Sequence, residues 1–265
     1  MDFVYKEKYT LEDLLRIMEL LRSEEGCPWD REQTHESIRK NLIEEAYETA
    51  EAIDKAEPEL LKEELGDVLL QVVFHAQMEA EKGSFGFDDV ADRICQKLIL
   101  RHPHIFSSVH VDSADQVLEN WDRIKKKEKG QSSAAQTLEA VPAVLPALMR
   151  AQKVQQRAAR TGFDYDSRGQ ALEELKSELD ELQEAISSGS KADVEEELGD
   201  LIFAAVNVAR FTGIDGEEAL TRSTEKFISR FTEVERLAAE QEIDMANTSL
   251  NVLNELWRKA KQNCR

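Results

Sequence analysis

The sequence predicts an all-α protein, and three observations carry this prediction. The 265 residues include only 11 glycines and 5 prolines, so helix-breaking residues are scarce. Apolar residues in the long segments recur every three or four positions, which is the period of a helix and not of a strand. One acidic helical pattern then occurs twice in the same surroundings, which predicts a tandem pair of four-helix-bundle-like domains.

Four apolar stripes predict the helices of the first half. They cover residues 11–21, 38–50, 65–76 and 90–99. The last stripe ends before Pro103, because a proline disfavours helix at the residue ahead of it.

Two similar domains are predicted from the order of landmarks along the chain. The apolar periodicity is lost after Lys125, so we expect an N-terminal domain over 1–128, a linker over 129–145 and a C-terminal domain over 146–265. Each landmark of the first copy has a counterpart in the second. The pairs are Pro28-Trp29-Asp30 with Gly162-Phe163-Asp164, Glu64-Leu65-Gly66-Asp67 with Glu197-Leu198-Gly199-Asp200, and Asn120-Trp121 with Leu256-Trp257.

Composition narrows the class of partner. The net charge of −20 argues against a nucleic-acid polymer, which needs basic surfaces, but is compatible with a small polyphosphate bound through metal ions. The three cysteines are scattered, the N-terminus lacks an apolar leader, and no run reaches the length of a membrane span. We therefore expect a cytoplasmic protein with no membrane partner.

Each copy contains two pairs of acidic residues three positions apart. The pairs are Glu45/Glu48 and Glu64/Asp67 in the first copy, and Glu178/Glu181 and Glu197/Asp200 in the second. Residues three apart share one face of a helix, so two antiparallel helices would gather four carboxylates. Such a group stays ionised only if a cation neutralises it, and oxygen-only donors suit Mg²⁺ or Mn²⁺. A solvated acidic face is the alternative, but these pairs adjoin apolar stripes, where an unpaired carboxylate is unfavourable.

A later helix of each copy carries two cations four positions apart, Lys97/Arg101 and Lys226/Arg230. They form either a solvated face, or ion pairs with the acidic helices, or contacts to phosphate oxygens beside a metal. Trp121 and Trp257 follow, as core residues or as stacking partners for a nucleobase. No phosphate-binding loop and no nucleophile motif occurs, so the predicted chemistry belongs to metal-activated water.

Several motifs together resemble one known family, the MazG nucleoside triphosphate pyrophosphohydrolases, in their two-domain bacterial form. They are Glu44-Glu45-x-x-Glu48 followed by Glu64-x-x-Asp67, Gly26-Cys27-Pro28-Trp29-Asp30, and Arg101-His102-Pro103-His104. The resemblance implies an all-α NTP pyrophosphohydrolase fold, Mg²⁺ dependence and a homodimer. It also implies hydrolysis of nucleoside triphosphates to monophosphate and pyrophosphate, as housecleaning of the nucleotide pool.

The resemblance also implies roles for individual residues, with catalysis assigned to the second copy. The implied residues are Glu178, Glu181, Glu197 and Asp200 as metal ligands, and Lys226, Arg230 and Trp257 as substrate contacts. For the general base we expect a carboxylate that the metal does not fully engage, either Glu178 or its neighbour. The first-copy equivalents are Glu45, Glu48, Glu64 and Asp67, with Lys97, Arg101 and Trp121. The second copy departs from the pattern at Ser177, where the first copy has Glu44.

Two other functions compete with this one. A di-iron carboxylate bundle would place Glu-x-x-His on two helices, whereas every pair here ends in Glu or Asp. A non-catalytic module that senses nucleotides through a metal fits the same residues as the enzyme does. Release of pyrophosphate distinguishes the enzyme from the non-catalytic sensing module.

Overall fold

The computed structural model describes residues 3–107, 109–111, 113–128 and 133–264. The chain divides into two compact units, Met1–Lys125 and Lys126–Arg265. Within the described ranges the regular secondary structure is helical, with no strand. The predicted all-α fold is confirmed.

The helices that begin in the first unit follow the predicted stripes. They are α1 (Leu11–Arg22), α2 (Pro28–Glu32), α3 (Arg39–Lys55), α4 (Pro58–Glu81), α5 (Phe87–Arg101), α6 (Pro103–Phe106) and α7 (Ala114–Glu128). The four stripes lie in α1, α3, α4 and α5.

The second unit repeats the long helices of the first. Its helices are α8 (Ala134–Glu139), α9 (Ala147–Ala159), α10 (Arg168–Ser188), α11 (Lys191–Phe211), α12 (Gly216–Glu240) and α13 (Leu250–Asn263). Across the part of the chain that the structure describes, none of the helices combines the length and apolar character needed to span a bilayer.

The segment predicted as a linker contains α8. Ser133 caps this helix by accepting a hydrogen bond from the backbone N–H of Gln136 (3.2 Å), and α8 packs against α9. Val141, just beyond it, is buried. A helix of this length shows no apolar period, and for this reason the sequence predicts a linker here. Residues 129–132 of the predicted linker lie outside the described residues. The domain limits stay a prediction.

A tight connection joins the two acidic helices in each unit. Between α3 and α4, Ala56 adopts a left-handed conformation (φ 54°) and Pro58 opens the next helix. Between α10 and α11, Gly189 does the same (φ 77°), and Ser190 caps α11. A connection this short forces the two helices of each hairpin to run antiparallel along one another.

Other helices support each hairpin through a small apolar core. In the first unit, Met18 of α1 packs with Val73, Phe74 and Met78 of α4. In the second unit, α9 packs on α11, while α12 and α13 bury a separate cluster that includes Leu256.

A hydrogen-bonded chain of side chains ties the segment before α3 to the second half of α4. The Nδ1 atoms of His35 and His75 lie 2.7 Å apart, and Nε2 of His35 lies 2.7 Å from Oε1 of Glu79. The two rings are almost parallel, at 8°, with centroids 5.0 Å apart. Since Glu79 only accepts, His35 donates from Nε2, and one proton is shared between the two Nδ1 atoms. Only one proton fits between the two Nδ1 atoms, and a second proton at that place would break this hydrogen bond.

This chain predicts that the first unit loses stability in mild acid. Burial, and then the charge of His35, lower the pKa of His75 from its ordinary 6.5. The unfolded chain therefore binds the proton more tightly, and the free energy of unfolding falls as the pH falls through about 6.5. We expect wild type to lose stability between pH 7.5 and 5.5 and His75→Gln to lose less, although His75→Gln is itself about 1 kcal/mol less stable at pH 7.5.

Urea unfolding at the two pH values measures this difference, with His110→Gln as the control because His110 is exposed. The acidic clusters titrate in all three proteins, so the comparison isolates His75. An unchanged pH dependence in His75→Gln would contradict the assignment.

Candidate metal centre

The first acidic cluster lies on the α3–α4 hairpin. One carboxylate oxygen from each of Glu45, Glu48 and Glu64 lies within 4.8 Å of the other two. Asp67 is close enough that, after burial, its charge is the largest cause raising the pKa of Glu45. The spacing of three along each helix thus gathers these acids as the sequence predicts.

The second acidic cluster lies at the equivalent place on the α10–α11 hairpin. Oxygens of Glu178, Glu197 and Asp200 lie within 4.8 Å of one another. The charge of Glu181 acts on both Glu178 and Glu197. Ser177, which departs from the acidic pattern, donates its hydroxyl to Oε1 of Glu181 (3.2 Å). The serine therefore orients one carboxylate where the first unit has an additional acid.

The electrostatics of both clusters favour a bound cation. Burial first, and the neighbouring carboxylates second, raise the pKa of Glu178, Glu197, Glu45 and Glu64. Their ionised forms are thus disfavoured by the fold, and a divalent cation removes that penalty by neutralising the group. The donors are all carboxylate oxygens, which fits a hard divalent cation.

Three of the four predicted basic residues form no ion pair with these clusters among the described residues. In the described part of the chain, no ion pair joins Lys97, Lys226 or Arg230 to an acidic residue. Lys97 and Lys226 are exposed, and Arg230 is half-buried with no hydrogen-bond partner at Nε. Ion pairs with the acidic helices, one of the alternatives read from the sequence, are therefore not formed by these three residues.

Arg101 differs from its second-unit counterpart Arg230. It is 6% exposed, and its guanidinium carbon lies 5.1 Å from the centre of the Trp121 ring. The ammonium of Lys125 lies 4.7 Å from the same ring. The first unit has therefore packed its cation and its tryptophan against each other.

Trp257 is packed within its own unit. Its ring centroid lies 5.2 Å from that of Phe227, and it borders the buried cluster of α12 and α13. Both tryptophans thus have packing roles, whichever other contact they make.

Sequence reasoning missed the residues of the loop before α10. Asp164 accepts two hydrogen bonds from the guanidinium of Arg210, one of them 2.9 Å long. Burial raises the pKa of Tyr165, and the carboxylates of Glu174 and Glu178 raise it further, so its hydroxyl lies close to the second acidic cluster. The repeated Gly162-Phe163-Asp164 was a signal for duplication only, because nothing local in the sequence pairs Asp164 with a residue 46 positions away.

Comparison with known proteins identifies a family that matches the segments carrying both acidic clusters. The family model described as "MazG nucleotide pyrophosphohydrolase domain" matches residues 33–106 and 167–234, which contain both acidic clusters. A Thermotoga maritima protein named "Nucleoside triphosphate pyrophosphohydrolase/pyrophosphatase MazG" is 45% identical over 94% of this chain and 95% of its own length. An Escherichia coli K12 protein named "Nucleoside triphosphate pyrophosphohydrolase" is 42% identical over 95% of this chain and 97% of its own length.

A third relative, "Uncharacterized protein YabN" of Bacillus subtilis, is 43% identical over 98% of this chain but only 52% of its own length. The resemblance predicted from the motifs is confirmed by these matches, which cover most of the sequence. The chain belongs to the MazG nucleotide pyrophosphohydrolase family.

Proposed function

We propose that this chain hydrolyses nucleoside triphosphates to the monophosphate and pyrophosphate with Mg²⁺ or Mn²⁺, as housecleaning of the nucleotide pool. The observation that carries the proposal is the cluster formed by the half-buried Glu178 and Glu197 with the exposed Asp200, in a chain of this family. The relatives from T. maritima and E. coli carry this activity in their names. The chain is thus an enzyme of that class. A cytoplasmic location, where nucleoside triphosphates are used, is part of the same proposal.

The second acidic cluster would hold the cation through Glu178, Glu181, Glu197 and Asp200. A bound divalent cation supplies positive charge against the triphosphate and lowers the pKa of water. Glu178 acts as the general base, taking the proton of the water that attacks the α-phosphorus in line with the leaving pyrophosphate. Ser177 keeps the carboxylate of Glu181 in one orientation while this happens.

Lys226, Arg230 and Trp257 are proposed as substrate contacts of the second unit. Arg230 supports this role because its Nε is buried without a hydrogen-bond partner, a state that an anionic phosphate oxygen would relieve. In the first unit, Arg101 is instead buried under Trp121. We therefore assign turnover to the second unit, and to Lys97, Arg101 and Trp121 at most a binding role.

A homodimer is proposed because each acidic hairpin exposes apolar side chains. Leu172, Leu179 and Ile186 on α10, and Leu198 and Ile202 on α11, are all exposed. Their spacing of seven or four places them on one side of each helix. A Cβ built at Gly199 would meet no atom within 4 Å, so a second chain has room to approach there. Large exposed apolar faces of this kind favour an interface between protein chains.

Neither rival function gains support. Among the described residues, neither group of acids that could hold a metal includes a histidine, which a di-iron bundle would need. The sensing module would bind the triphosphate without hydrolysing it, so a measurement of pyrophosphate release distinguishes it from the enzyme.

Purified protein should release pyrophosphate from all four ribonucleoside triphosphates when Mg²⁺ or Mn²⁺ is present. Exhaustive treatment with EDTA should abolish the release, because the carboxylates then have no cation with which to hold the triphosphate. Pyrophosphate and monophosphate are measured together by chromatography. Binding of nucleotide without turnover would favour the sensing module, and turnover that survives chelation would remove the proposed mechanism.

The two units should respond differently to the loss of a carboxylate. Glu197→Gln and Asp200→Asn should each lower kcat/KM at least 100-fold, which is about 2.7 kcal/mol of transition-state stabilisation, because each removes a charged ligand at nearly constant shape. Glu64→Gln and Asp67→Asn are the matched variants of the first unit and should lower it less than 10-fold. Equal losses in folded variants of both units would show that both clusters are needed for turnover.

The protein should sediment at about 60 kDa, twice the 30.2 kDa of one chain, at micromolar concentration. Ile186→Glu should weaken this association, since it places a charge in the exposed apolar face of α10. The matched control is Ser187→Glu, an exposed polar neighbour on the same helix. Wild type that remains a 30 kDa species under these conditions would rule out the dimer.

A further inference from the structure

A cavity of about 480 Å³ lies in the second unit between α9, α11 and the loop of residues 162–165. Gly162 has a positive φ of 88°, a turn that brings the loop back over the end of α9. The volume is in the range of small-molecule sites, roughly 300–1,000 Å³. We refer to this cavity as the loop pocket.

The loop pocket adjoins the second acidic cluster from two sides. On α11, Phe203 and Asn207 line it, and they follow Asp200 by three and seven residues, about 4.5 and 10.5 Å along the helix. From the loop, Tyr165 lines the same pocket, while the charges of Glu174 and Glu178 reach its hydroxyl. A group joined to the α-phosphate of a substrate held at the cluster is thus next to the pocket.

The walls of the loop pocket suit a flat, partly polar ring. Phe163, Tyr165 and Phe203 line it, and Phe163 is 82% exposed. An aromatic side chain that no part of its own chain covers is available for stacking on a base. Gln155, which also lines the pocket, is only 6% exposed.

Gln155 supplies the independent sign of a ligand. Its Nε2 donates to the backbone carbonyl of Phe203 (2.8 Å), and since a carbonyl can only accept, this fixes the orientation of the amide. Its Oε1 is left buried with no hydrogen-bond partner, alone in this respect among the side chains lining the pocket. A buried acceptor without a donor is unfavourable, and each nucleobase carries an N–H or amino donor that would satisfy it.

The first unit has core residues at two positions of α4 that match pocket-lining residues of α11. The residues three and seven positions after Asp67 are Leu70 and Phe74, where the second unit has Phe203 and Asn207. Phe74 is buried in the core cluster of the first unit and Leu70 packs against it. On this helix the first unit therefore has core residues at the two positions that line the loop pocket in the second unit.

We propose that the loop pocket binds the nucleobase of the triphosphate, with Gln155 accepting a hydrogen bond from the base and Phe163 stacking on it. This inference rests on the proposed function and deepens it. Because all bases carry a suitable donor, the pocket recognises that a base is present more than it selects one base. It also moves base recognition from Trp257 to the loop before α10.

The test compares substrates with a ligand that has no base. KM is measured for the four ribonucleoside triphosphates, and Ki for inorganic tripolyphosphate as a competitive inhibitor, in wild type, Gln155→Leu and Phe163→Ala. We expect each variant to raise every KM about tenfold and to leave the Ki of tripolyphosphate unchanged. Gln156→Leu, at an exposed position on the same helix outside the pocket, should match wild type. Phe163→Ala keeps the test valid if Gln155→Leu does not fold, since Phe163 is exposed.

Three results would overturn the inference. Unchanged KM values in both variants would show that no base occupies the pocket, as would be found if a second chain fills it. Equal weakening of nucleotide and tripolyphosphate would show that both residues act through the phosphate site. A selective loss of nucleotide in Trp257→Ala, with neither pocket variant affected, would return the base to Trp257.

Calorimetry with a non-hydrolysable α,β-methylene triphosphate separates this inference from the proposed function. If wild type binds the analogue without turning over any triphosphate, and Gln155→Leu binds it about tenfold more weakly, the enzyme assignment fails and the pocket assignment stands. If wild type releases pyrophosphate normally and both pocket variants equal it, only the pocket assignment fails. If wild type neither hydrolyses triphosphates nor binds the analogue, both fail.

Discussion

Repulsion between carboxylates that share a helical hairpin is the constraint on which the rest of this structure depends. Glu178 and Glu197 stand on neighbouring helices, half-buried, with pKa values raised by burial and by the acids around them. An arrangement of this kind is unfavourable unless packing elsewhere holds the helices together and a cation neutralises the acids. The tightly connected hairpins and the helices packed behind them provide the first condition. The dependence of this family on a metal ion is consistent with the second.

The parts of this design that depend on helical period were predictable from the sequence. A spacing of three residues, as in Glu45 and Glu48, becomes proximity in space as soon as the segment is helical. Contacts between distant segments were not predictable in the same way. The burial of Arg101 under Trp121 depends on how α7 packs, and the pairing of Asp164 with Arg210 depends on a loop fold that no local pattern encodes. The short helix α8 was not predicted, because an apolar period cannot be recognised in a helix of six residues.

The two units show how one backbone plan acquires two sets of properties through few substitutions. The position that is Phe74 in the first unit closes a core, whereas Asn207 at the same place in the second unit borders a cavity. The extended histidine chain of the first unit runs through His75, at a position where the second unit has the apolar Val208. The two copies thus differ in how these positions pack, while both keep a cluster of carboxylates on the equivalent hairpin.

The short connections within the hairpins have a consequence for how such a chain arises. Only Ala56 and Glu57 separate α3 from α4, and only Gly189 and Ser190 separate α10 from α11. Closing so short a loop takes little conformational entropy, so the donor set is assembled by one contiguous stretch of chain and needs no distant segment. A duplication of the DNA encoding that stretch therefore copies a whole set of metal donors at once. After the duplication, mutations can change one set of metal donors while the other set remains intact.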